Sequence, residues 1–363
     1  IMDDLTDWSV KFDNLGDQGL GQLLDEQWKE ANQQFTKFIE AHYENWLHSD
    51  NKPLMSPEII PTHIQEKLQN DEKIVLIIID CLRADQLKAM TSLLAQIFHI
   101  DTKYYLSILP TATPYSRNAI FSGYYPNELQ NEYGELWQKM WQDEHSMNRF
   151  ENRFLRDQLN RLGLASKSIH YHKVITYEEG NKLETRIGEF KEVDLLAIVI
   201  NFVDILGHSR SESNILQEMV PDESAYRKAV CSWLENAWLL NVLEEISNWG
   251  HTVFLTSDHG SIRVTKPVQI KGDRQTSTGI RFKYGQNIKM PEKSGITIPN
   301  PEKYLLPKHD LGTNYLIAKS GNFLIYPNEY HKFANHYNNS FQHGGISLEE
   351  MVVPIAELKG KNG

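Results

Sequence analysis

The sequence predicts an α/β protein with a central, mostly parallel sheet flanked by helices and a helical segment at the N-terminal end. Three apolar runs, IVLIIID, LLAIVINFVD and VFLTSDH, read as strands buried on both faces, the mark of a parallel sheet. Stretches of helical composition alternate with them, as in βαβ units. The runs end at Asp80, at Asp204 and at Asp258 with His259. Open α/β sheets bind their ligands beyond the carboxyl ends of such strands, so distant residues can converge there.

In chain order, residues 17–48 are rich in helix formers. Leu20, Leu24, Trp28, Ala31, Phe35 and Phe38 define one stripe, with a second edge through Ile39, Tyr43 and Trp46. Such a helix packs on its own domain or serves self-association and signal transmission. Asn51 to Pro61, with three prolines, reads as a linker. A strand at Ile74 to Ile79 precedes a helix over 84–98, a short strand near Tyr104 to Ile108 and a helix over Ser116 to Ser122. Residues 135–162 are helical in composition and Ser166 to His172 strand-like. The strand Leu195 to Val203 is followed by a long helical stretch over 222–247 and the strand Thr252 to Thr256. Residues 262–325 look irregular, with short strands such as Tyr315 to Ala318.

Composition narrows the function. The chain has 363 residues, enough for one large domain and a smaller element, and 40% apolar content predicts a packed core. A net charge of −11 excludes coating bulk nucleic acid, though not binding a small phosphorylated ligand beside divalent metals. The two cysteines, Cys81 and Cys231, lack ligand spacing and form no disulfide framework, which predicts a cytoplasmic setting. No apolar run approaches a membrane span, and no signal-peptide pattern opens the chain. The first residue is Ile1 rather than Met, so the native start is expected upstream.

Residues of metal-binding type gather at the strand ends. Asp80 alone would more often cap the following helix. A haloacid-dehalogenase-type site would need a carboxylate two residues later, where Leu82 stands, and a receiver-type site an earlier acidic pair. In PTATPYSRNAIFSGYYP, Thr111 or Thr113 can serve as an N-cap or as a nucleophile at a helix N-terminus, with Ser116, Arg117 and Asn118 as nearby phosphate contacts. Asp204 and His208 stand four apart in DILGH, with Gly207 allowing a tight turn. Asp258 and His259 are adjacent in SDHG, and His343 lies in QHGG. Oxygen and imidazole ligands suit zinc, with manganese as its commonest substitute. The set reads as a two-metal phosphoryl-transfer site. A locally basic stretch from Lys266 to Lys289, including Lys271, Arg274, Arg281 and Lys283, is a solvated loop or a cover over further phosphates.

The segments IIIDCLRAD, PTATPYSRNAIFSGYYP, NFVDILGH, TSDHG and HGGISLEEMVVPIA resemble, in that order, a PglZ domain of the alkaline phosphatase superfamily. The resemblance implies an alkaline-phosphatase-like catalytic domain over residues 70–358 behind a helical remnant at 1–60. It implies a first metal held by Asp80, Thr113, Asp258 and His259 and a second by Asp204, His208 and His343, both zinc. Thr113 rather than Thr111 becomes the nucleophile, because Gly123 stands ten residues later, as in the superfamily's nucleotide pyrophosphatases. Those enzymes place a phosphate-holding Asn where this chain has Ser116, and the sulfatase Cys-x-Pro-x-Arg pattern is missing.

With helices ahead of it, the domain is similar to the effector part of the PorX-like response regulators of type IX secretion. That likeness implies an upstream receiver domain, a sensor kinase and a homodimer through the N-terminal helices. The expected substrate is a phosphodiester, of nucleotide or cyclic oligonucleotide type. The contrasting expectation is a zinc-stabilised interaction module with little or no catalysis.

Overall fold

The computed structural model describes residues 1–15, 18–142, 147–272, 279–310, 312–328 and 330–361. Among them, the central sheet contains β1 (Ile74–Ile79), β2 (Phe98–Leu106), β3 (Ile169–Val174), β4 (Leu195–Ile200), β5 (Thr252–Thr256) and the C-terminal strand Val352–Gly360. Across the sheet the order is β2, the C-terminal strand, β5, β1, β4, β3. β1 pairs in parallel with β4 and β5, and β3 with β4. The C-terminal strand is antiparallel to β5 and β2. The mostly parallel sheet expected from the apolar runs is therefore present, with one reversed strand inside it.

The strands alternate their side chains between two cores. Val75, Ile77, Ile79, Leu196, Ile198 and Val253 face one side, covered by helices that include Ala84–Leu94, Glu223–Asn236 and Trp238–Ser247. Leu76, Ile78, Leu195, Val199 and Phe254 face the other, against Ile59–His63, Thr113–Ser122 and Glu151–Arg161. Register sets the functional end of the sheet. Ile79 lies opposite Ile200, and Ile78 opposite Thr256. One residue past Ile79, Asp80 comes level with Asn201 on one side and Asp258 on the other, so these three emerge side by side.

Several elements depart from the sequence reading. The proline-rich stretch 51–61 is no free linker. Met55, Ser56, Pro57, Ile59 and Ile60 are buried, and the chain turns helical from Ser56. Pro57 and Pro61 sit in the first turns of two short helices rather than in an extended spacer. The long stretches 135–162 and 222–247 each divide into two helices, Gly134–Trp141 with Glu151–Arg161 and Glu223–Asn236 with Trp238–Ser247. The region read as irregular holds an antiparallel sheet of Phe282–Gln286, Thr313–Ala318 and Gly295–Ile298. Its pairing partners are distant in sequence, so no local hairpin pattern announces it.

The N-terminal helices α1 (Met2–Leu15) and α2 (Gln18–Trp46) lie against the body. α1 precedes the amphipathic stretch 17–48 and falls within the helical segment expected at 1–60. Ile39 and Tyr43 of α2 join a core with Leu109, Tyr115, Tyr315 and Ile346. The Leu109 amide donates to the Tyr43 hydroxyl at 2.8 Å. Asn32 is buried and bonds twice to the body: its Nδ2 donates to Glu349 at 2.8 Å, and its Oδ1 accepts from the Leu348 amide at 2.7 Å. No helix among the described residues is long and apolar enough to cross a membrane.

The segment carrying His343 is tied down by a buried ion pair. Arg281, in the stretch expected to be solvated or to reach over phosphates, is fully buried and donates from Nε to Glu350 at 3.0 Å. Lys283 is also buried, its ammonium 5.2 Å from the Tyr326 ring. Glu350 in turn accepts from the Gly345 amide at 2.8 Å and the Ser347 hydroxyl at 2.7 Å. Replacing one member of such a pair strands a buried charge. Arg281→Met is expected to cost about 3–5 kcal/mol of folding stability, read from urea unfolding. A change below roughly 1 kcal/mol would remove the pair from this structural role.

Candidate metal centre

Asp80 ends β1 and is held at that edge by its own amide, which donates to the Ile200 carbonyl at 2.8 Å. The next residue, Cys81, takes a left-handed backbone conformation with φ 68°. That turn aims its amide at Asp258 Oδ1, 3.3 Å away. Asp258 and His259 follow β5. Gly260 after them is obligatory, because a Cβ there would come within 2.0 Å of the Glu349 carbonyl oxygen.

Asp204 and His208 lie on the helix Phe202–Glu212, which starts directly beyond β4, rather than in a loop. Their spacing of four places both on one face. Gly207 sits inside this helix rather than in a tight turn, and a Cβ there would stand 3.1 Å from the Tyr226 hydroxyl. Thr113 occupies the first turn of Thr113–Ser122, half-buried. His343 lies in the segment clamped by Glu350.

Two groups of side chains converge: Asp204 with His208 and His343, and Asp80 with Asp258 and His259. In the first, His208 Nε2 is 3.2 Å from His343 Nε2, and Asp204 Oδ1 is 3.3 Å and 3.4 Å from these two nitrogens. In the second, Thr113 Oγ1 lies 3.3 Å from Asp80 Oδ1 and 3.1 Å from His259 Nε2. His259 Nε2 is 3.8 Å from both Asp80 Oδ1 and Asp258 Oδ2. The groups adjoin, since the His259 and His343 rings stack with centroids 4.3 Å apart. A tetrahedral zinc bound at about 2.0–2.1 Å separates its ligand atoms by about 3.3–3.4 Å, so these donors fit such an ion. Both groups are candidate metal sites.

Electrostatics point the same way. Asp80 and Asp258 are almost wholly buried, and Asp258 Oδ2 makes no hydrogen bond among the described residues. Burial raises both carboxyls, Asp258 well above the usual range, and each is pushed further by a neighbouring aspartate. Arg117 is their nearest cation, 2.6 Å from Asp80 and 3.8 Å from Asp258. It also serves Glu151 at 2.6 Å, so one guanidinium faces three carboxylates. Burial drives the His259 imidazole well down, with His343 adding to the effect, which keeps it neutral and able to ligate. Burial opposes ionisation of Asp204, yet hydrogen bonds from His208 and His343 hold it well below the ordinary carboxylate range. The other ring nitrogens are also engaged, His259 Nδ1 with the Gly260 carbonyl at 3.1 Å and His343 Nδ1 with the Thr111 carbonyl at 3.3 Å. Both rings are thereby turned with Nε2 inward.

The residues proposed around phosphate are placed differently. Ser116, Arg117 and Asn118 are buried. Ser116 bonds Ser107, and Asn118 donates to the Pro114 and Met147 carbonyls. Their bonds are made within the protein, because their helix faces the core one turn beyond Thr113. Lys271 is exposed, its backbone bridged to Lys289, and no contact among the described residues ties it to the metal groups. Arg274 lies outside the described residues. Sequence reading missed Asn201, whose Nδ2 donates to Asp80 at 2.9 Å, and Glu151, which anchors Arg117. Asn201 had a signal in its position directly after a buried strand; Glu151 had none.

Arg117 therefore positions Asp80. Arg117→Met is expected to weaken divalent-metal affinity about 10–100-fold, as loss of such outer partners does. Competition against a chromophoric chelator measures it, and unchanged affinity would deny Arg117 that role.

Residues 59–358 match the family model of the BREX system PglZ alkaline phosphatase-like domain. Residues 1–47 match that of the PorX response regulator linker domain. No curated protein matches. Among solved structures, the chain is similar to murine ectonucleotide pyrophosphatase/phosphodiesterase 5, with 14% identity, 79% of this chain and 88% of that one covered, and a TM-score of 0.47. The human counterpart gives 13% identity, 80% and 88% coverage and 0.45. Phosphonoacetate hydrolase from Sinorhizobium meliloti 1021, in complex with phosphonoformate, gives 11%, 79%, 90% and 0.49. Likeness at this level carries no functional argument. The 300-residue family match does: the chain belongs to the PglZ alkaline phosphatase-like family, and is a hydrolase of the alkaline phosphatase superfamily.

Proposed function

We propose that this chain is a two-zinc phosphodiesterase acting on nucleotide-type substrates, cyclic oligonucleotides among them, with Thr113 as nucleophile. The observation that carries this reading is the position of Thr113 Oγ1, within 3.3 Å of Asp80 and His259 at the start of a ten-residue helix. Asp80, Asp258, His259 and Thr113 would hold one ion, and Asp204, His208 and His343 the other. Bound zinc would lower the pKa of the threonine hydroxyl and of water and neutralise charge on the phosphoryl and leaving oxygens.

The chain's own part is placement. Thr113 Oγ bonds to phosphorus in line while the bond to the leaving alkoxide breaks with its electron pair, and the threonine's proton passes through water to that alkoxide. Water then displaces Oγ from the phosphothreonine, restoring the hydroxyl. Two displacements give retention at phosphorus. The helix N-terminus faces the anionic groups with its positive end. Positioning and charge dominate phosphoryl transfer, so a general acid is not required.

In this reading residues 70–358 carry catalysis, and the segment 1–60 relays a signal from a receiver domain phosphorylated by a sensor kinase. The setting is type IX secretion signalling in the cytoplasm, with a homodimer formed through the N-terminal helices. The match of residues 1–47 to a response-regulator linker supports the response-regulator context.

Purified protein should contain two zinc ions per chain by elemental analysis and hydrolyse an aryl phosphodiester faster than the monoester. Thr113→Ala should lower turnover by about 10³-fold or more with zinc content nearly unchanged. Full activity in that variant would dismiss the nucleophile. Zinc without hydrolysis of either ester would favour the interaction-module reading. Chelation should also lower the unfolding midpoint, and zinc restore it, because the ion binds the folded chain alone. An unmoved midpoint would speak against metal at the buried carboxylates.

A further inference from the structure

α2 does not lie flush along its whole length. Between its middle and the catalytic body is a cleft of about 810 Å³ that shares none of the metal-binding side chains. That volume is typical of a site for a nucleotide-sized molecule. Its lining carries both signs of charge, but unequally matched. Glu40 is bound by Lys319 at 2.6 Å, and Glu223 by Arg83. Burial moves the two remaining acids, Asp25 and Glu349, toward neutrality, Glu349 to about 7.

The cations are left in excess. Among the described residues, no carboxylate lies within ion-pair distance of Lys37, Arg263, Lys266 or Lys293. Lys37 belongs to α2 and the other three to the body, so the charges face one another across the cleft. Arg263 is the anchor: it is half-buried, and its Nε is a buried donor with no hydrogen-bond partner. A charged donor left so is costly unless an acceptor arrives. Trp28 and Leu24 of α2 add an apolar wall.

We propose that this cleft is a second ligand site, taking a small molecule with at least two phosphate groups that bridges α2 and the catalytic body. Phosphate oxygens would accept from the Arg263 guanidinium and from the lysines at the mouth. Guanidinium and ammonium groups on two walls suit a diphosphate better than a single carboxylate.

The test is calorimetric titration of the metal-loaded chain with two hydrolysis-resistant probes, α,β-methylene-ADP and methylenediphosphonate. Three variants accompany the native chain: R263E/K266E, the surface pair K37E/K293E, and D204A/H343A. Submillimolar binding of at least one probe is expected. It should weaken about tenfold or more in each charge-reversed variant, since charge-assisted bonds are lost, and persist in D204A/H343A. K37E/K293E alters exposed side chains only, so its result does not hinge on folding. Tighter binding of the nucleotide probe would show that the nucleoside is also recognised; equal binding would show that the phosphates suffice. Either supports the site. Absent binding at several millimolar, indifference to both reversals, or loss in D204A/H343A would overturn it, the last by placing the probe at the metal centre.

Discussion

The structure turns on the burial of two aspartates beside each other at the end of a sheet. Asp80 and Asp258 emerge from adjacent strands whose register leaves them little freedom to part. Taking two carboxylates out of water at close range is strongly unfavourable unless positive charge meets them. Arg117 meets Asp80 closely and Asp258 at longer range, and Glu151 competes for the same guanidinium. The deficit fits a site for a multivalent cation. Around this centre the sheet, the helix of Thr113 and the helix of Asp204 and His208 act as a frame.

His343 enters that frame from the far end of the sequence and depends on another buried charge pair. Glu350 collects the Arg281 guanidinium, the Gly345 amide and the Ser347 hydroxyl, and its own carbonyl accepts from Gly260. The loops that carry His259 and His343 are thereby joined. α2 reaches the same segment through Asn32, on Leu348 and Glu349. Thus the N-terminal helices are physically continuous with the loop that completes one metal group. A displacement of α2 has a short covalent and hydrogen-bonded path to His343.

Much of the frame was legible along the chain. Ile74–Ile79 and Leu195–Ile200 announce buried parallel strands because every position is apolar, and both faces are indeed covered. Asp80, Asp258 and His259 stand where such strands end, so sheet geometry alone predicts their meeting. The pair four apart, Asp204 and His208, was visible as a spacing but not as a helix. The apolar run Phe202–Val203 looks like more strand until Asn201 breaks the ladder. Arg117 read as a phosphate contact because it follows Thr113 closely, and its burial depends on Glu151, 34 residues away.

The sequence by itself determined the strands, the order of the donor residues and the helical nature of the N-terminal segment, because periodicity and residue chemistry are local properties. Tertiary structure decided which cations neutralise which acids, that residues 51–61 belong to the core, and that the span 282–318 folds into its own sheet. Those outcomes rest on contacts between residues far apart in the chain, and the free energy of such contacts is set by burial and neighbouring charge, which no single segment encodes.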